Sequence, residues 1–515
     1  MKQHTTLMAR HATVAYAAVM LCMAPAAHAA VTISTAATSN MSCVSGVCSP
    51  TAADAVLNVN DLTSMLASGN VTVNTGTGSL AQQVEDIVVA STFNWASANA
   101  LTLDAFHSVM FTAPVAVNGA APVSLVTNDG GTGGLLSFGK TGSIAFASLS
   151  SALTVNGLSY SLVGSVKSLA AAVANNPSGN YALAADYDAR GDKTYRAAPI
   201  PTAVSGHVEG LGNTISGLKI AATVNSASIG LFAQVDGTVS DFVLADESVD
   251  IQGEDDAVGG LVGVNNGTVL GGVVSGTIRG GKLGSTGAFV GGLVGLDNGV
   301  VAYSHATAKV EGRNKADIGG LVGASLPGTI INSYATGNII GEGAAAGGLI
   351  GYAAGTVSGS FATGNVSGRR DGLGGLAGCG SEGTISNSYA TGSAKGEDAD
   401  GGIAGGLIGC DFDGGQDGGT ITASYATGTE SGGIGALDGG FAGEVQYSGA
   451  TTNDYWDTTT SGTQQAVGQG SSSGITGLTT KQLKSGLPAG FDPTIWAQSK
   501  KINNGLPYLI NNPPQ

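Results

Sequence analysis

Between Ile229 and Gly443 one phrase returns eight times, and an internal repeat of roughly thirty residues restricts the architecture more than any other property of a chain. The phrase is Gly-Gly-Leu-Val-Gly at residues 259–263, 291–295 and 319–323, with variants at 347–351, 374–378 and 405–409. A degenerate first copy reads Ile229-Gly-Leu-Phe-Ala233, and a last one reads Gly439-Gly-Phe-Ala-Gly443. Successive copies start 27 to 34 residues apart, so length varies in loops while the phrase holds. A second phrase lies between the copies: Ser304-His-Ala-Thr307, Ser333-Tyr-Ala-Thr336, Ser360-Phe-Ala-Thr363, Ser388-Tyr-Ala-Thr391 and Ser424-Tyr-Ala-Thr427. A β-branched residue precedes each serine by three positions, at Val301, Ile330, Val357, Ile385 and Ile421.

Short runs of Val, Ile, Thr and Tyr that alternate with period two and close on Gly are strand chemistry. A coil of thirty such residues cannot bury its own apolar side, whereas stacked coils pair every strand with the next rung. The expected fold is all-β, a right-handed parallel β-helix (β-solenoid) with short helical interruptions and a C-terminal cap. Gly is assigned to corners, where the backbone takes positive φ or turns without a Cβ in the way. Like residues stack in files, with Ser and Ala on one face. The aromatic column His305, Tyr334, Phe361, Tyr389 and Tyr425 lies on the other, beside Thr307, Thr336, Thr363, Thr391 and Thr427. The pattern leaves open which face looks inward.

Gly accounts for 85 of 515 residues without a three-residue period, which excludes collagen, and 42% hydrophobic content argues for a folded chain. With 36 acids against 20 bases the net charge of −16 repels phosphate backbones, so nucleic acid is not an expected partner. Lys2 and Arg10, an apolar run from Ala12 to Met23 and the exit Ala27-His28-Ala29 have the layout of a cleaved export signal over residues 1–29. About twelve apolar residues are too few to cross a bilayer, and no transmembrane segment is expected in the mature chain. Four cysteines then remain, which in an exported chain favours disulfides. Cys43 and Cys48 bracket a short turn. Cys379 and Cys410 each follow a copy of the phrase, so in consecutive coils they would stack about 4.8 Å apart, within disulfide reach; two reduced, buried thiols are the alternative.

The alternation of Gly-Gly-Leu-Val-Gly with Asn-Ser-Tyr-Ala-Thr-Gly resembles the GLUG repeat of bacterial surface proteins, found in filamentous haemagglutinin-like adhesins and in streptococcal immunoglobulin A protease precursors. The resemblance covers 229–445. Asn180–Asp186 and Gly210–Ile220 look like the lead-in coil of such adhesins, and Tyr455-Trp-Asp457, Gly477–Lys481 and Gly505–Tyr508 look like their closing segment. The chain shows neither the long secretion domain of two-partner exoproteins nor a translocator barrel. The organisation expected is a signal peptide (1–29), an N-terminal β-solenoid region (30–160), a lead-in coil with a short helix (161–228), the repeat solenoid (229–445) and a C-terminal loop and cap (446–515). Helical stretches are expected near Asp61–Ala67 and after Ser165, where Val166, Leu169, Ala170 and Val173 share a face and Pro177 stops the run. Residues 461–474 read as a loop, with Trp456, Trp496 and Tyr508 covering the last rung.

Catalytic signals are sparse. Past the export signal the histidines are His107, His207 and His305, each read as structural or surface, and no His-Glu-x-x-His motif supplies a zinc site. β-Solenoids can carry sugar hydrolases and lyases that work with paired carboxylates. Here the acidic clusters Glu254-Asp255-Asp256, Glu397-Asp398-Asp400 and Asp411, Asp413, Asp417 sit in glycine-rich inserts and read as solvated loop charge. The last is the one candidate metal site, for calcium, because closely spaced carboxylates on a loop suit a hard cation; no other cofactor is expected. The aromatic column would be a sugar-stacking ladder if it faced solvent, and ice binding by the file of Thr307, Thr336, Thr363, Thr391 and Thr427 would need a wide flat array of two threonines per rung, where the sequence gives one. The reading is an exported, non-enzymatic adhesin-type protein, secreted or at the bacterial cell surface, that contacts host or matrix glycans or proteins, or neighbouring cells. The alternatives are a glycan-active enzyme on the same scaffold and a structural spacer.

Overall fold

In the computed structural model the copies of the phrase stack in strict register, Gly291 on Gly319, Gly319 on Gly347, Gly347 on Gly374, Gly374 on Gly405 and Gly405 on Gly439. The structure describes residues 29–514 apart from 77–83, 224, 226, 254–255, 282–286, 314–315, 343–344, 370–371, 397–401, 411–418, 434–435 and 446–449. The chain is a parallel β-solenoid. One coil has five short strands, for example Val300–Ala302, His305–Ala306, Lys309–Gly312, Asp317–Gly319 and Val322–Ser325. Val301, Ala306, Val310, Ile318, Leu321 and Val322 of this coil are fully buried, and the equivalent side chains of neighbouring coils continue the same core.

The glycines of the phrase act through close approach, not through positive φ. None of Gly319, Gly320 and Gly323 has a left-handed backbone. A methyl group on Gly319 would run into the carbonyl of Val322 in its own coil, one on Gly320 into the carbonyl of Gly348 in the next, and one on Gly323 into the backbone of Val290 and Gly295 in the previous coil. The phrase therefore marks a crease where two strands fold against each other at backbone distance. The left-handed corner lies elsewhere, one residue before each of the five internal serines and before Asp454, and forms a file of its own: Tyr303 (φ 51°), Asn332 (48°), Gly359 (59°), Asn387 (46°), Ala423 (53°) and Asn453 (58°). Gly and Asn tolerate that conformation, whereas Tyr and Ala hold it at a steric cost.

Two solenoid cores meet at a reversal. The first is built mainly from residues 31–155, with Val31 paired to Ile87, Ile87 to Val109 and Val109 to Leu136, and takes in Leu162, Ala182, Ala184 and Leu211 from beyond the turn, while the second begins at Val163. Between them Leu153–Val155 pairs antiparallel with Leu158–Val163 through a two-residue turn at Asn156 (φ 50°) and Gly157 (φ 78°). Asn-Gly is the residue pair that such a turn demands. Beyond the turn the strands of the shared sheet are again parallel, now running the opposite way. Buried Asn213 ties the joint, its side-chain amide donating to the carbonyls of Ile144 and Leu183.

Two helices occupy the positions expected of them. The first, α1 (Val59–Ser68), buries Val59, Leu62 and Leu66 against the start of the first core, and α2 (Val166–Asn175), capped by Ser165, buries Val166, Leu169 and Val173 at the start of the second. Both cysteine pairs are bridged: Cys43–Cys48 closes the hairpin of Met41–Val44 and Val47–Pro50, and Cys379–Cys410 joins register partners on adjacent rungs with Cα atoms 4.6 Å apart. Residues 461–474 are not simply a loop, because Val467–Gly470 adds a strand beside Ala442–Val445 and buries Val467. No helix among the described residues is long and apolar enough to cross a membrane.

Candidate functional site on the solenoid walls

The recurrent Ser-(ring)-Ala-Thr phrase points two ways at once. Its Ser and Ala are inside: Ser304, Ser333, Ser360, Ser388 and Ser424 are all fully buried, as are Ala306, Ala335, Ala362, Ala390 and Ala426. Each serine hydroxyl donates to the carbonyl two residues back in its own coil, at 2.8–3.1 Å. It also accepts a backbone N–H from the preceding coil, so that Ser304 donates to Ser333, Ser333 to Ser360, Ser360 to Ser388 and Ser388 to Ser424 at 3.1–3.3 Å. A buried file of hydroxyls thus satisfies N–H groups that the tight corner leaves without strand partners. Asp454 ends the file, accepting from the backbone of Ser424 and Thr452, and burial pushes its carboxyl up to about 7.

The rings point outward, yet they are not a solvent-facing ladder. His305, Tyr334, Phe361, Tyr389 and Tyr425 stack with centroids 4.6, 4.8, 4.8 and 5.0 Å apart. The C-terminal segment runs back along them, packing Leu483, Phe491, Trp496, Leu506 and Leu509 into a third apolar cluster on the outside of the coil. Tyr425 donates to the carbonyl of Pro507, the indole of Trp496 donates to Asn387, and the side chain of Asn512 donates to the carbonyls of Ser333 and Gly359. Trp496 and half-buried Tyr508 therefore belong to a side strap, and Trp456 alone of the three expected cap residues packs into the main core. Burial lowers His305 to about 4 and raises Tyr334 to about 12. His305 is a neutral rung of the stack.

Other chemistry-bearing groups fall into separate sets. His107 contacts Asp86 and Ser108 at 2.8 and 2.9 Å, but both contacts fall on the same ring nitrogen, so the imidazole cannot relay a proton from one to the other. His207 lies in the strand His207–Glu209, in register with Asn180 and Thr238. On an outer wall Asp250, Arg279 and Glu311 are register partners on successive rungs. There Arg279 and Lys309 bind Glu311 at 2.5 and 2.7 Å, and Arg313 reaches Asp250 at 3.0 Å. The guanidinium of Arg279 holds Glu311 down at about 2, so it is an ionised partner and not a proton donor.

Sequence reasoning missed the interior carboxyls. Glu247 and Glu430 are buried with neither oxygen hydrogen-bonded, and burial raises both, Glu430 to about 9. Glu209 bonds Ser240 and the backbone of Leu211, Asp297 bonds Asn265, and burial pushes each up to about 7. Of the acidic inserts, Asp256 is buried and accepts from the backbone of Ala227. Glu254, Asp255, Glu397, Asp398, Asp400 and the calcium candidates Asp411, Asp413 and Asp417 lie outside the described residues. Among the described residues no group of three His, Cys, Asp or Glu side chains is placed to hold a metal.

A further wall is formed by the strands Thr238–Ser240, Thr268–Leu270, Val300–Ala302, Thr329–Ile331, Thr356–Ser358, Thr384–Ser386, Thr420–Thr422 and Ala450–Thr452, paired in sequence. The middle residue of each of the first seven points into the core, and the two flanking residues are at least partly exposed, except Ala302, which is buried. Nothing in the Ser-Tyr-Ala-Thr phrase announces this face. Its signal is a Thr-x-Ser or Thr-x-Thr triplet just upstream, legible only once the rungs are aligned.

No family model matches the chain. No curated protein matches it at a significant level. Among solved structures it is similar to a Bacteroides ovatus chain described as "a putative immunoglobulin A1 protease", at 16% identity over 68% of this chain and 92% of that one, with a TM-score of 0.32. That superposition is too loose to carry residue roles across.

Proposed function

We propose that this chain is an exported, non-enzymatic attachment protein of the adhesin type, working by multivalent contact. The observation that carries the reading is the register itself: outward side chains of one kind return on successive rungs, as Thr329, Thr356, Thr384 and Thr420 do. A patch that binds weakly is then presented many times at fixed spacing, and linked weak contacts gain in effective concentration. The export-signal layout of residues 1–29 and the likeness of the repeat to the GLUG phrase support a secreted or cell-surface setting. The glycan-active alternative loses support on the charged wall, where Asp250 and Glu311 are each committed to a cationic partner.

The test is a binding array of glycans and matrix proteins probed with the full chain, with and without calcium. Saturable signal on a small set of spots is the expected result. Silence on every spot would move the reading to a structural spacer, and hydrolysis or cleavage of a spotted glycan would move it to an enzyme.

A further inference from the structure

The strand that opens the first core is seated out of sequence order. Ala29–Ser34 lies between Ala55–Asn58 and Val84–Val89 and runs parallel to both, with Val31 and Ile33 fully buried. On one side Ala30 is the register partner of Asp86. On the other, Val31 pairs with Ala55, which places Asp54, one residue earlier, next to the position of Ala30. Adjacent strands are about 4.8 Å apart, so both acidic residues stand within ion-pair reach of a charge on Ala30.

The charge here is one-sided. From Ala30 to Gly139 the chain carries Asp54, Asp61, Glu85, Asp86, Asp104 and Asp129, and neither Lys nor Arg. Asp86 is largely enclosed, its side chain 15% exposed, and one of its oxygens meets the ring of His107 and the N–H of Ser108. Glu85 is the extra residue at the register shift between Ala29 and Ala30 and brings a further carboxylate to the same strand. An enclosed carboxylate is costly without a cationic partner, and apart from His107 no side chain in this stretch can supply one.

We propose that the α-ammonium freed at Ala30 by removal of the leader docks against Asp86 and Asp54, so that export processing supplies the start of the first core with a cation its side chains lack. The inference rests on the export part of the reading above, in which residues 1–29 form a cleaved signal. Hydrolysis adds water across the Ala29–Ala30 bond, leaving a carboxylate on the departing Ala29 and on Ala30 an amine that takes up a proton. A free α-amino group titrates near 8, and neighbouring carboxylates hold the proton on it. With the leader attached, the same position holds an uncharged peptide group. The precursor therefore lacks an ion pair that the processed chain has, and the last increment in the seating of this strand comes after export.

The test exports the full chain from a bacterium, identifies the first residue of the recovered protein by mass, and follows acylation of its α-amine at neutral pH. The recovered chain is expected to begin at Ala30, and its amine to react several-fold more slowly in the folded wild type than in Asp86→Asn, with the difference gone in urea. Asp54→Asn, at an exposed position, gives the same reading if Asp86→Asn fails to fold. Equal rates in the folded wild type and in every folded variant would overturn the proposal. Recovery of a chain that begins elsewhere than Ala30 would overturn it too, while the attachment reading would still stand or fall on the binding array.

Discussion

Replacing Glu430 by valine should stabilise the protein at neutral and alkaline pH and leave it nearly unchanged in mild acid. Glu430 stands in a file whose other members are Val310, Ile339, Val366 and Ala394, and its carboxyl lies inside the coil with both oxygens unpaired. Burial raises its pKa from 4.5 to about 9, with the nearby carboxylate of Asp438 adding to the rise. The folded state therefore keeps a proton that the unfolded chain releases, and stability falls as pH rises above 4.5 until the folded-state group itself ionises. At about 1.36 kcal/mol per unit, the loss is about 3 kcal/mol by pH 7 and roughly twice that by pH 9. Urea midpoints of wild type and Glu430→Val taken from pH 5 to pH 9 should diverge steadily, the variant lying higher. Glu209, Asp297 and Asp454 contribute the same sign of slope in both proteins, so the difference between the curves belongs to Glu430. Parallel curves, or a variant that is weaker at pH 9, would refute the assignment of a neutral, unpartnered carboxyl in the core.

Three further outcomes follow from the walls and the core. Ser360→Ala removes the acceptor of the Ser333 N–H; leaving that buried donor unpaired should cost about 1–3 kcal/mol, read as faster amide exchange at Ser333, and unchanged protection there would show that the hydroxyl file is incidental. Trp496→Ala should loosen the strap by about 3–5 kcal/mol, and in an absorbance titration Tyr389 and Tyr425, both raised by burial, should move back toward the ordinary phenol range; an identical titration curve would mean the strap does not depend on the indole. Tyr303→Asn relieves a left-handed backbone at a side chain 41% exposed and should stabilise by about 1 kcal/mol, with a denaturation midpoint no higher than wild type counting against the strain.

The stacked coil was legible because its cause is local and repeated. Val301, Ile330, Val357, Ile385 and Ile421 mark the buried side of one strand in five consecutive coils, and stacking the coils buries them all. The rungs of the disulfide Cys379–Cys410 were legible for the same reason, since equal positions in a repeat become neighbours in space. What was not legible depends on contacts outside the repeat. The inward turn of Ser and Ala follows from a hydrogen-bond file that links one coil to the next, and the rings are covered by the distant C-terminal segment, as in the bond from Tyr425 to Pro507 across 82 positions. The sequence left open whether the glycines of the phrase serve positive φ or the absence of a Cβ, because both select the same residue, and only the contacts around Gly319, Gly320 and Gly323 decide for the second. The reversal at Asn156-Gly157 carried the ordinary signal of a two-residue hairpin turn, but a surrounding pattern of uniform short strands hid its effect on chain direction.

The serine file also bears on how such a rod can change length. Every serine closes one bond within its own coil and one with the coil before it, so a coil inserted or lost anywhere between Ser304 and Ser424 leaves the chain of donors and acceptors complete, with Asp454 still the terminator. Growth by whole coils then requires no compensating change at either end. Duplication of a single thirty-residue unit would lengthen the walls by one rung and leave their spacing as it was.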